Sequence, residues 1–167
     1  MVLTREELVL SLQDEVRILL HLAGKVDPAQ LDYRPTPTQR STIELLRYLS
    51  VMGPALIASI RSGVFDTTIW QAALADASRL TFDEALAAIG DQTRQYAALI
   101  AEFSDDDLRS EVQMFYRTGS RGSIIVNIVL CHHTAYRTQL FLYLKACGRD
   151  ELGTANLWAG MDAAVSS

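Results

Sequence analysis

Three places in this chain carry the same four-residue signature, Thr4 with Glu7, Ser41 with Glu44 and Thr81 with Glu84. In each, a hydroxyl can accept from the backbone amide three residues on while the glutamate reaches back to the first amide, which is the capping box that opens an α-helix. Each signature is followed by a long stretch with apolar residues at helical spacing. Leu8, Leu12, Val16, Leu19 and Ala23 recur along one face of a helix from about Arg5 to Lys25, with His21 on the solvated face. The second helix runs from Thr42 to about Arg61, with Pro54 expected to kink it and Gly63 to close it. The third, from Phe82 to about Phe103, is expected to bury Leu86, Ile89, Thr93, Tyr96, Ile100 and Phe103. A fourth, from about Ser123 to Cys147, stops at Gly148, a residue suited to a left-handed cap.

Four long helices without a convincing strand imply an all-α bundle of antiparallel type in one domain, residues 1–167. The connections are long. Pro28, Pro35 and Pro37 oppose helix after the first segment, TTIWQAALADAS is expected to form a short extra helix after the second, and Val112 to Tyr116 a short extended piece after the third. The tail from Arg149 onward carries Leu157 and Trp158 and must cover an apolar surface of its own bundle or of a partner.

Charge narrows the function classes. The net charge is −5, and Lys and Arg are scattered, so nucleic acid and anionic membrane are poor partners. The charged N-terminus does not read as a signal peptide and no stretch reads as a membrane span, so a cytoplasmic location is expected. Cys131 and Cys147, on one helix, stand roughly 24 Å apart, too far for a disulfide, and are expected to be two small buried thiols.

The chemistry concentrates in CHHTAYRTQLFLYLKACG, residues 131–148. His132, Tyr136 and Tyr143, with Gln139 beside them, line one helical stripe, and His133 and Arg137 an adjacent one. Two histidines four apart on a helix can chelate a metal, but here the second position is Tyr136. Arg137 can serve an anionic group or an interhelical ion pair equally. Arg117 and Arg121 precede the last helix, whose dipole favours anions.

His132, Tyr136, Arg137, Gln139, Leu140, Tyr143, Leu144 and Gly148, together with Tyr33-Arg34-Pro35 followed by the capped helix Ser41 to Tyr48, resemble the DinB/YfiT-like superfamily of four-helix-bundle metalloenzymes. The resemblance implies a divalent metal, zinc or nickel, held by one histidine of the second helix and two of the last; those positions are Tyr48, His132 and Tyr136 here. A phenol must lose a proton at a pKa of about 10 before it ligates well, so no cofactor is expected, and zinc or nickel if any. The reading that follows is a DinB-like protein with a degenerate metal centre, a small-molecule binder or divergent metal-free enzyme, with Tyr48, His132, Tyr136, Arg137 and Glu44 in the pocket and His132 as candidate acid or base. The alternatives are a metal-dependent thiol S-transferase or hydrolase-like enzyme using His132, and a structural homodimer; the resemblance also implies a homodimer.

Overall fold

The structure, a computed structural model, describes residues 3–162. All three predicted capping boxes form, with hydroxyl and glutamate both engaged. They open α1 (Arg5–Ala23), α2 (Thr42–Ser62) and α4 (Phe82–Ala101), while α3 (Thr67–Ala77) is the short helix expected in the second connection. Asp66 caps α3 through the amides of Thr68 and Ile69. The last helix is built in three parts: α6 (Arg121–Ile125), a π-helical turn (Val126–Leu130) and α7 (Cys131–Ala146). The π turn lies directly before His132 and His133, where the extra residue resets which side chains face inward.

Side-chain bonds fix the helix directions. Arg5 donates to the Phe103 carbonyl and Gln13 to the Thr93 carbonyl, so α1 and α4 are antiparallel. Leu49 meets Gln92 and Arg61 pairs with Glu102, so α2 and α4 run parallel. Tyr48 meets Tyr136 and Arg121 donates to the Ile60 carbonyl, so α2 and α7 are antiparallel. Thr134 bonds Glu15 and Arg149 bonds the Lys25 carbonyl, so α1 and α7 are parallel. The four long helices are therefore up, down, down and up in chain order, with α1 packed on α4 and α7, and α2 on the same two. This departs from a simple up-and-down order because the connection through α3 carries the chain back to its starting end.

Leu12, Leu19 and Leu22 of α1 and Leu45, Leu46, Leu49 and Ile57 of α2 belong to one core, all close to fully buried. Among the described residues, α2 alone is long and apolar enough to cross a membrane; half of its most apolar window is buried inside this bundle. It continues through Pro54 as one helix to Ser62, and Gly63 closes it at φ 76°.

Four expectations need correction. The third connection holds not one extended piece but a short helix, α5 (Asp105–Arg109), and a hairpin pairing β1 (Glu111–Met114) with β2 (Arg117–Ser120), Glu111 opposite Ser120 and Met114 opposite Arg117. On α4, Gln92 is buried and Thr93 exposed; the amide of Gln92 finds buried partners that a reading by hydrophobicity does not anticipate. Of the two thiols expected to be buried, Cys131 is exposed and Cys147 half-buried. His21 is not simply solvated: its Nε2 lies 3.1 Å from Asn156 and 3.7 Å from Asp162 of the C-terminal segment.

That segment folds back over α1 and α7. Arg17 bonds the Ala159 carbonyl at 2.9 Å, Lys25 bonds Asp162 at 2.7 Å, and Asn156 is buried. Trp158 nevertheless remains 59% exposed, and residues 163–167 of the tail lie outside the described residues. The anchor is Arg137, 2% exposed, which is paired by its Nε with Glu15 at 2.9 Å, donates to the Leu157 carbonyl and lies beneath the Trp158 ring. Arg137→Ala leaves the half-buried Glu15 carboxylate without its cation and frees the strap; we expect a loss of about 2–4 kcal/mol in urea unfolding, with faster proteolysis after Arg149.

Candidate functional site

The π turn and the first turn of α7 present two histidines to different surroundings. His133 points into the core, where its Nε2 lies 2.5 Å from the Tyr96 hydroxyl. The polarity of this chain of bonds follows from its end. The Leu49 carbonyl can only accept, so the Gln92 amide nitrogen faces it at 2.7 Å and the Gln92 oxygen faces Tyr96, whose hydroxyl donates to it at 2.9 Å. The Tyr96 oxygen is then the acceptor for His133 Nε2–H, and His133 Nδ1 carries a bare lone pair with no partner among the described residues. Gly53 makes room for this arrangement. A methyl group there would overlap the Tyr96 hydroxyl and come within 3.0 Å of His133 Nε2. The sequence pattern gave His133 only as a neighbour of the metal-like stripe; a glycine facing a tyrosine and a histidine on three helices was the available signal.

His132 stands on the other side, half-buried, with Tyr136 one turn away at 6.2 Å between ring centres. Tyr136 in turn meets Tyr48 of α2 edge to face at 5.2 Å. Trp70 of α3 closes on Tyr48 at 6.1 Å, and the Arg40 guanidinium sits 4.1 Å over the Tyr48 ring. Tyr48, His132 and Tyr136 are thus brought together; helical spacing accounts for His132 and Tyr136, and the family resemblance indicates Tyr48. Glu44 and Arg137 are not part of this group. Glu44 is occupied as the cap of Ser41, at 2.8 Å, and as the partner of Arg34 at 3.2 Å, which together hold its carboxyl below the usual range. Arg137 turns toward α1 and Glu15. Tyr143 bonds the Arg40 carbonyl at 2.9 Å and thereby fixes the backbone that carries Arg40. Arg121 is spent on Ile60 and Ser110, and Arg117 lies on the hairpin.

Burial, followed by the Tyr136 phenol, pushes the Tyr48 hydroxyl well above its ordinary value, with Arg40 opposing. Burial, followed by the charge of Arg117, lowers His132. A zinc or nickel ion at these three positions would meet one imidazole and two phenols, one of them held firmly protonated. That donor set does not fit such an ion. No group of three His, Cys, Asp or Glu side chains suited to a metal converges among the described residues.

The decisive comparison is with the DinB superfamily, whose family profile matches residues 11–140. The chain belongs to the DinB superfamily. A solved DinB-like protein, YjoA from Bacillus subtilis, shares its fold with a TM-score of 0.65 at 18% identity, over 87% of this chain and 94% of that one. No curated protein matches in sequence. The DinB fold and the reading from the helix order and the two landmark motifs therefore agree.

Burial, then the charges of His132 and Arg137, holds His133 at about 4, against an ordinary 6.5. Below pH 6.5 the unfolded chain takes up a proton there that the folded chain refuses until pH 4. Stability conferred by the neutral imidazole is therefore full above pH 6.5 and declines as pH falls, by about 3 kcal/mol in total at pH 4. Urea unfolding from pH 8 to pH 4 is expected to show this slope in the wild type and a much shallower one in His133→Gln, where the lowered His132 still contributes. Separately, Gly53→Ala is expected to cost about 2–4 kcal/mol by displacing Tyr96 and breaking its bond to His133, read from the shift in denaturation midpoint.

Proposed function

We propose that this DinB-superfamily protein is a metal-free small-molecule-binding protein, with its ligand seated against the Tyr48–Tyr136 ring pair and His132 as the group that exchanges a hydrogen bond or a proton with it. The observation that carries this reading is the ring contact at 5.2 Å between two tyrosines at the positions where the family resemblance places imidazole ligands. The two rings and His132 are partly exposed, so they offer stacking surface and a polar edge to a flat organic molecule. Of the three, His132 is the side chain whose proton moves at near-neutral to acidic pH, since Tyr48 is driven upward. Any reaction at this place has His132 as its acid or base and the phenols as orienting donors.

The test is titration calorimetry with zinc and nickel on four chains: wild type, Tyr48→His, Tyr136→His and the double variant. The double variant is expected to bind one ion tightly, completing a three-imidazole set, and to gain melting temperature on metal addition; the wild type is expected to show neither effect. In parallel, ligand-observed NMR with small aromatic and carboxylate compounds should find binders that Tyr136→Ala no longer recognises. Stoichiometric zinc or nickel binding by the wild type, or a folded wild type that binds nothing from the panel, would sink the proposal.

A further inference from the structure

One face of the molecule, bordering the Tyr48 site at Trp70, keeps large apolar side chains in solvent. Val64 is 64% exposed, Ile69 68%, Phe115 48% and Tyr116 85%. They form one continuous surface, because Phe65 packs on Trp70 at 5.5 Å and on Phe115 at 4.8 Å, joining the loop before α3 to the tip of the hairpin. The tip is held in an uncommon backbone conformation. Phe115 has φ 54°, the left-handed region usually left to glycine, at the first position of the two-residue turn between β1 and β2. Such strain persists where the surroundings over-determine it and marks places that act on something else. Its result here is a fixed tip on which Tyr116 stands out from the surface instead of lying on it.

Beside the tip lies a groove of about 320 Å³ between α2 and α3, walled by Ala55 and Ala58 on one side and Val64, Asp66, Ile69 and Trp70 on the other. The charges of tip and groove are opposite. Arg117, next to Tyr116, has no carboxylate within ion-pair distance among the described residues and reaches Asn127 only at 3.5 Å. Asp66 uses Oδ1 for both amides that it caps, at 2.8 and 3.1 Å, which leaves its other oxygen open toward solvent. We infer that this face is a two-fold interface between copies of this chain, in which Tyr116 of each copy enters the groove of the other and Arg117 meets the other's Asp66. A self-complementary patch, with knob and hole side by side and one cation matched to one anion, is what an isologous pair requires. Tyrosine and arginine are also among the residues enriched at the energetic centres of interfaces.

Sedimentation velocity of the full chain at micromolar concentration tests this. The wild type is expected to be a dimer. Tyr116→Ser, which removes the knob, and Ala58→Arg, which fills the groove from an exposed helix position, are each expected to weaken it by about thirtyfold or more, with the helical circular dichroism unchanged. Arg117→Glu should weaken it as well, and Asp66→Asn in that background, which keeps the helix cap, should recover part of the loss by removing the like-charge contact. A monomeric wild type overturns the inference, as does a dimer indifferent to Tyr116→Ser and Ala58→Arg. A dimer dissolved by Trp158→Ser but not by Tyr116→Ser places the interface on the C-terminal strap and overturns it too.

Discussion

The Tyr96 hydroxyl is the one group on which three of the four long helices converge. It donates to Gln92 on its own helix, accepts from His133 on α7, and occupies the space that Gly53 leaves on α2. A buried polar chain of this kind is worth having only if it is fully satisfied, since each stranded group costs about 1–3 kcal/mol. All of its members but His133 Nδ1 are satisfied, and the bare lone pair forces a neutral ring. The position of the π turn follows from the same demand, because the helix must deliver His133 to the core and His132 to the neighbouring tyrosine pair in consecutive residues.

In a metal-bearing bundle, coordination bonds between the second and last helices contribute heavily to the folded state. Here the same two helices are joined by weaker and more numerous contacts: the Tyr48–Tyr136 rings, Arg40 over Tyr48, and Tyr143 on the Arg40 carbonyl. Edge-to-face aromatic contacts contribute about 0.5–1.5 kcal/mol each beyond their burial, so several small terms hold this part of the bundle together. Tyrosine at both positions also removes the neutral lone pairs on which a Lewis-acid centre depends.

Much of this was legible before any coordinates. Capping boxes are local chemistry, and Thr4, Ser41 and Thr81 each opened a helix where their spacing indicated. The convergence of Tyr48, His132 and Tyr136 was legible from i, i+4 spacing together with the family resemblance. What escaped was long-range. Glu15 lies 122 residues from Arg137, and nothing local identifies it as the partner. Gln92 reads as polar and therefore outward, until the Leu49 carbonyl supplies a buried acceptor. The hairpin turn carries Phe115-Tyr116 where the usual turn residues would stand, so its strongest sequence signal is missing.

The strap joins the two ends of the chain: Arg17 to Ala159 across 142 residues and Lys25 to Asp162 across 137. Because α1 precedes both α7 and the strap in the chain, the flank of α1 that they cover stays open during synthesis until both have left the exit tunnel. Loop closure of this span must precede the contacts that reward it. The nascent chain therefore carries this flank of α1 uncovered across the 137-residue span from Lys25 to Asp162, and truncations that remove only the strap expose the same surface that the growing chain exposes in transit.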